Sequence, residues 1–137
     1  MYLPSKIKGD FMAYSNILPK VAFQKTKEGY TYLDVRTEEE FKVGHAKGAV
    51  NIPIFLATPA GRQFNPEFLD QVQAKFSADT KLVIGCHSGG RSGKACQLLG
   101  EQGYKHLFNI DGGFGGRLDP QTGEQIKGWQ DEGLPCE

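Results

Sequence analysis

Two periods organise the apolar positions of this chain. Some runs are apolar throughout or alternate every second residue, and others repeat every three or four positions. Gly29-Tyr30-Thr31-Tyr32-Leu33-Asp34-Val35 is rich in β-branched and aromatic residues and follows the polar run 25–28. It reads as a buried strand entered after a short helix. Thr37, with Glu40 three positions on, has the spacing of a capping box, which predicts a short helix from Glu38 to about Val43 that stops at Gly44. Ala49-Val50-Asn51-Ile52 forms a brief strand closed by Pro53, and residues 55–65, which contain Pro59 and Gly61 as breakers, read as loop. Asn65-Pro66-Glu67 then supplies an N-cap, a proline at the first helical position and a carboxylate for the helix dipole. Phe68, Leu69, Val72 and Phe76 fall on one face of the helix that follows.

The second half repeats the alternation. A strand over residues 82–85 leads to a helix from Arg91 to about Gln102, with Ala95, Leu98 and Leu99 as its apolar stripe, and then to a strand over residues 104–110 that ends in Asp111-Gly112-Gly113. Strands alternating with helices at this spacing predict an α/β fold, with a mostly parallel central sheet flanked by helices on both faces. Ligand sites in such sheets lie at the carboxyl ends of the strands. Residues 115–127 are polar and turn-rich, and Asp119-Pro120-Gln121-Thr122-Gly123 has the composition of a hairpin tip.

Length and charge narrow the classes. At 137 residues the chain suits one domain, 1–137, and sixteen basic against sixteen acidic side chains give no reason to expect nucleic acid or an anionic membrane as partner. The first twenty residues lack the unbroken apolar run of a secretory signal, and no segment approaches a transmembrane length. A soluble cytoplasmic protein is expected, or an organellar one if a targeting segment has been removed. Cys86, Cys96 and Cys136 are odd in number and lack CxxC spacing, which fits neither a disulfide framework nor a zinc site. Neither a metal nor a cofactor is expected.

The chemistry concentrates in Cys86-His87-Ser88-Gly89-Gly90-Arg91-Ser92, between an apolar strand and a helical pattern. A glycine-rich strand-to-helix turn lets successive backbone N–H groups converge on one point, where the helix N-terminus adds partial positive charge. Thiolate is the reactive form of cysteine, and such a setting favours it. Cys86 is therefore a candidate nucleophile in an anion cradle.

Three separated stretches resemble the rhodanese signatures: Leu33-Asp34-Val35-Arg36 with Glu40-Phe41, the run from Gly44-His45-Ala46 through Asn51-Ile52-Pro53, and Cys86 through Ser92. Asp111-Gly112-Gly113 and Trp129 followed by Gly133-Leu134-Pro135 look like that family's last strand and helix, so the likeness runs from about residue 17 to 135. The pattern is most similar to single-domain thiosulfate sulfurtransferases. One departure is an insertion near 115–127, since fifteen residues separate Gly113 from Trp129 where the family has a few. The other is His87, a position at which family members vary and often carry a cation.

The resemblance implies a rhodanese-like three-layer domain in which Cys86 takes the outer sulfur of thiosulfate or a similar donor and holds it as a persulfide. A thiol, cyanide, thioredoxin or a sulfur-carrier protein would then remove it. N–H groups from His87 to Arg91 would stabilise the charged persulfide, and Gly89 and Gly90 would permit close approach of the ligand. Arg91 is expected to close the cradle, through loop carbonyls or by adding charge. His87 either faces incoming anions or is an exposed spacer, and Ser88 either bonds the persulfide or caps the helix. For Ser92 the cap is favoured. Asp34, Arg36 and Ser92 are supporting residues: Arg36 is expected to pair with Glu40, and Asp34 to anchor the active-site loop by hydrogen bonds. His45 reads as a folded loop histidine, Cys96 as packing and Cys136 as an inert terminal thiol. Arg62, within 55–65, is placed near the site mouth.

Two rival functions share these residues. Phosphatases and arsenate reductases of the related fold resemble C-x5-R, with a roomier loop, whereas Cys86 to Arg91 is C-x4-R. No convincing acid for an alkoxide leaving group accompanies it. The other rival is a non-catalytic docking or redox-sensing domain, which an intact cysteine loop disfavours. For the insertion, a partner- or substrate-specificity role is expected.

Overall fold

At the centre of the molecule Leu82, Val83 and Ile84 alternate between two cores, one on each face of a parallel sheet. The computed structural model describes residues 14–137. The reading of the first twenty residues therefore lies, for 1–13, outside the described residues.

In chain order the elements are β1 (Tyr14–Ile17), α1 (Pro19–Lys27), β2 (Thr31–Asp34), α2 (Glu38–Val43), β3 (Val50–Asn51), β4 (Phe55–Thr58) and β5 (Gly61–Phe64). They continue with α3 (Phe68–Lys75), β6 (Lys81–Gly85), α4 (Gly90–Glu101), β7 (His106–Ile110), β8 (Arg117–Leu118) and β9 (Gln125–Ile126). Strands β1, β7, β6, β2 and β3 lie side by side in that order, every neighbouring pair parallel. On one face Leu33, Leu82 and Ile84 pack on Phe68 and Val72 of α3 and on Ala95, Cys96 and Leu99 of α4. On the other, Tyr32, Val83 and Ile110 pack on Ala22 of α1 and on Trp129, whose ring meets those of Phe23 and Tyr32 edge-on. Near-continuous burial of β2 and β6, whose side chains alternate between the two cores, and the apolar stripes of α1, α3 and α4 thus produce the α/β sheet with helices on both faces that the pattern predicts. Among the described residues no helix is long and apolar enough to cross a membrane.

Several expectations change in detail. Residues 55–65 are mostly an antiparallel hairpin, β4 with β5, rather than loop. The breakers sit at its turn: Gly61 has φ +101°, Thr58 Oγ1 donates to the Gly61 carbonyl, and the Ala60 N–H donates to Thr58 Oγ1. Helix α3 begins at Phe68 with Glu67 at the N-cap, two residues later than expected, because Asn65 closes a turn by accepting the Glu67 N–H on Oδ1. Strand β1 has no counterpart in the expected elements. It is short and half exposed, and its place is fixed by β7 rather than by its own composition. The capping box at Thr37 and Glu40 forms as its spacing predicts. The polar insertion folds into the β8–β9 hairpin, with residues 119–123 at its tip.

Tyr32 is 3% exposed, and its hydroxyl has no hydrogen-bond partner among the described residues. An unpaired buried hydroxyl costs about 1–3 kcal/mol. Tyr32→Phe is therefore expected to raise the midpoint of thermal unfolding while leaving the fold intact. A lower midpoint would show that the hydroxyl is satisfied in solution.

Candidate active site

Strand β6 ends at Gly85 and α4 begins at Gly90, so Cys86, His87, Ser88 and Gly89 form the turn between them, at the carboxyl edge of the sheet. The turn is held from behind. The carbonyls of Cys86, His87 and Ser88 accept hydrogen bonds from the N–H groups of Phe114 (2.8 Å), Gly115 (2.8 Å) and Gly112 (3.0 Å). In a trans peptide the N–H points opposite to the carbonyl, and the described chain has no cis bonds. Pinning three carbonyls backward therefore turns the N–H groups of His87, Ser88 and Gly89 forward. The Gly89 N–H indeed donates to Cys86 Sγ at 3.1 Å. Of the N–H groups expected to form the cradle, that of Gly89, at φ +126°, is the one that meets the sulfur among the described residues.

Gly113 explains why the backing segment is glycine-rich. Its φ is +53°, and a Cβ there would lie 2.4 Å from the Cys86 carbonyl oxygen. The His87 ring lies against Gly115, where an added Cβ would meet Cε1 at 2.1 Å. His87 is exposed and lines the cleft in front of the cysteine, which accommodates both expectations for it.

Behind the sulfur, Ser92 Oγ stands 3.4 Å from Cys86 Sγ, 3.2 Å from the Gly89 carbonyl and 2.5 Å from Asn109 Oδ1. One hydroxyl proton serves three acceptors, and Asn109 is the nearest. Asn109 in turn donates from Nδ2 to Asn16 Oδ1 and to the Gly89 carbonyl. Ser92 is thus a buried link between the sulfur and β7, not the helix cap expected, because it lies inside α4, where its hydroxyl turns inward. No hydrogen bond of the Ser88 side chain occurs among the described residues, and Ser88 lines the cleft.

The charged groups pair differently from the expected arrangement. Arg36 does not meet Glu40: it bonds Asp34 through Nε (3.0 Å to Oδ1) and Nη2 (2.8 Å to Oδ2), and Nη2 also donates to the Gly44 carbonyl. Both residues are buried, and breaking such a pair from one side costs about 3–5 kcal/mol. The Asp34 carboxylate bonds Arg36 rather than the cysteine loop, so its anchoring is indirect. Arg36 stacks on Phe114, whose N–H holds the Cys86 carbonyl. Glu40 instead takes Arg91 in a bidentate pair, with Nη1–Oε1 2.7 Å and Nη2–Oε2 3.0 Å. Arg91 therefore ties the start of α4 to α2 and, among the described residues, donates to no loop carbonyl. Partial burial works against the Glu40 carboxylate, but hydrogen bonds from Arg91 and from the Thr37 N–H and hydroxyl outweigh it and hold the carboxyl at about 2.

Glu40, Arg62, Cys86, His87, Ser88, Gly90 and Arg91 line a cleft of about 490 Å³. Arg62 reaches it from β5, as placed from sequence. A larger groove of about 650 Å³ beside β3 and α3 contains no cysteine, serine or histidine. No residue of 115–127 lines the cleft, so the geometry lends no support to a small-substrate role for the insertion. Cys96 is buried between α4 and the sheet, and burial, with the neighbouring Cys86, pushes its thiol up. Cys136 is exposed in a bridge with Ala46, and His45 is part-buried, stacked on Phe41. Sequence reasoning missed Asn109 and the backing role of residues 112–115. The glycine run after β7 was the available signal for the latter.

Two outcomes test this geometry. Gly113→Ala is expected to push the Cys86 carbonyl out of place and to slow alkylation of Cys86 while circular dichroism stays native; unchanged alkylation would count against the backing role. Because the Glu40 carboxyl lies lower in the fold (about 2) than its ordinary value of 4.5, its pairing contributes stability that is full above pH 4.5 and is lost as pH falls toward 2. Glu40→Gln should flatten that acid limb in thermal unfolding, and an unaltered limb would contradict the pairing.

Comparison with known proteins agrees with the geometry. The model of the Rhodanese-like domain matches residues 20–116. Thiosulfate sulfurtransferase 16, chloroplastic, of Arabidopsis thaliana is 38% identical over 121 residues, covering 88% of this chain and 91% of the relative. The Arabidopsis protein HIGH ARSENIC CONTENT 1, mitochondrial, is 44% identical over 91 residues, 66% of this chain but only 54% of that relative's length. Among solved structures, Rv0390 from M. tuberculosis superposes with a TM-score of 0.74 at 26% identity, covering 90% of this chain and 96% of the other. With a family match across most of its length, a cysteine at the end of the central strand and the expected parallel sheet, the chain belongs to the rhodanese-like domain family.

Proposed function

We propose that this chain is a sulfurtransferase that carries a sulfane sulfur on Cys86. The observation that supports it best is the backward pinning of three loop carbonyls, which turns the following N–H groups forward and sets that of Gly89 on Sγ. Such donors stabilise a sulfur anion where it forms. The Cys86 thiolate attacks the outer sulfur of thiosulfate. A Cys86–sulfur bond forms as the donor's S–S bond breaks, and sulfite leaves with that electron pair. An acceptor thiolate or cyanide then bonds the outer sulfur, and the pair of the broken S–S bond returns to Cys86 as thiolate. His87, Ser88, Gly89 and Gly90 form the cradle wall, Arg91 fixes the start of α4 through Glu40, and Asp34, Arg36 and Ser92 support from behind. Thioredoxin or a sulfur-carrier protein fits the acceptor role as well as a small thiol. A free thiol at Cys86 suits a reducing compartment, the cytoplasm or, following the mitochondrial and chloroplastic names of relatives, an organelle.

Phosphoryl chemistry is disfavoured. The six-residue loop is tight, and the carboxyl in the cleft, Glu40, is held at about 2 and has no proton to give a leaving group near neutrality. One relative's name refers to arsenic content, which makes arsenate the competing oxyanion.

Treatment with thiosulfate is expected to add one sulfur atom to Cys86, seen by mass spectrometry, and to yield thiocyanate on addition of cyanide. Cys86→Ser should abolish the adduct and lower turnover by about 10³-fold or more. Native protein that gains no sulfur would overturn the reading: in favour of arsenate if arsenate is reduced, and in favour of a docking or sensing domain if it is not.

A further inference from the structure

We propose that Arg62 is the residue that recognises the sulfur donor, binding its anionic oxyacid end while Cys86 attacks the outer sulfur; this rests on the sulfur-transfer reading above. The cleft is lined by two guanidinium groups, one carboxylate and the Cys86 sulfur, and pairing decides which guanidinium has donors left for an anion. Arg91 is 13% exposed and spends two donors on both Glu40 oxygens, at 2.7 and 3.0 Å. Arg62 is 52% exposed, and its approach to Glu40 Oε1, 3.6 Å, is too long for a hydrogen bond. That oxygen already accepts from Arg91 Nη1, the Thr37 N–H and Thr37 Oγ1. Among the described residues the Arg62 side chain makes no hydrogen bond, so its donors face the cleft unspent.

The arm that carries Arg62 is tied down at its base. In the β4–β5 hairpin Arg62 stands opposite Ala57, and Phe55 meets Phe64 edge-on at the base, with ring centroids 6.2 Å apart. Asn65 ties the end of the hairpin to the Pro53 carbonyl. A guanidinium offers a planar fork of donors that matches a sulfonate's oxygens two at a time. The donor class this selects is a sulfane sulfur attached to an anionic sulfur oxyacid, thiosulfate or an organic thiosulfonate. The reactive sulfur then points at Cys86, and the leaving group is a sulfite or sulfinate that departs toward Arg62.

The test separates the two half-reactions of the full chain. Loading of Cys86 by thiosulfate is followed by mass spectrometry against time and donor concentration. Unloading of the persulfide by 2-mercaptoethanol, an uncharged acceptor, is followed after long preincubation. Arg62→Ala is expected to reduce the second-order rate constant for loading by about ten- to a hundredfold, through donor affinity, and to leave unloading unchanged. Arg62→Lys should restore part of the loss, since it keeps the charge and loses the fork. Equal slowing of both half-reactions would reassign Arg62 to structure, and unaltered loading would overturn its role as receptor. Native protein that fails to load at all would instead remove the sulfur-transfer reading beneath it.

Discussion

Three hydrogen bonds from the backbone of Gly112, Phe114 and Gly115 to the carbonyls of Ser88, Cys86 and His87 set the direction of the loop on which the site depends. Peptide planarity converts those bonds into a cradle: a carbonyl held backward obliges the following N–H to face forward. Neither half of the arrangement works alone. A turn rich in glycine has many conformations, and the second glycine-rich segment selects one of them. Trp129 and Gln130 close the back of that segment, with N–H groups bonded to the Gly113 and Phe114 carbonyls, so the packing of the carboxyl-terminal region is transmitted to the cysteine.

Charge is arranged in two layers around this frame. The inner layer is Asp34 with Arg36, buried and mutually satisfied, stacked against Phe114. It contributes rigidity, not reactivity. In the outer layer Glu40 joins α2 to the start of α4 through Arg91 and comes within 3.6 Å of Arg62 on the β4–β5 hairpin. One carboxylate thus neutralises the arginine that belongs to the loop motif and leaves the hairpin arginine with its donors unspent. This division places one unspent guanidinium at the cleft although the chain as a whole has no net charge.

The parts of the fold legible in the sequence were those set by local pattern. The strand at Leu82, the helix after Gly90, the capping box of Thr37 and Glu40 and the turn at residues 119–123 each follow from residues adjacent in the chain. Less legible elements draw their stability from elsewhere. Strand β1 owes its existence to pairing with β7. The β4–β5 hairpin resembled a loop because its breakers mark the turn and its strands are largely exposed, with no buried face to impose alternation. Arg36 and Glu40 have the spacing to pair, yet burial of Asp34 two positions away gave Arg36 a partner that could not otherwise be satisfied.

By itself the sequence determined the candidate nucleophile, the number of residues in its loop, the alternation of strand and helix and the glycines that permit an N–H cradle. All of these are properties of neighbours along the chain, where spacing and residue type are sufficient. Tertiary structure alone decided which backbone holds the loop from behind, that Ser92 reaches the sulfur and Asn109 instead of capping a helix, and that Glu40 belongs to Arg91. Those outcomes depend on segments far apart in sequence competing for the same few donors and acceptors. Only the packed sheet, which brings β2, β6 and β7 to a common edge, fixes who wins.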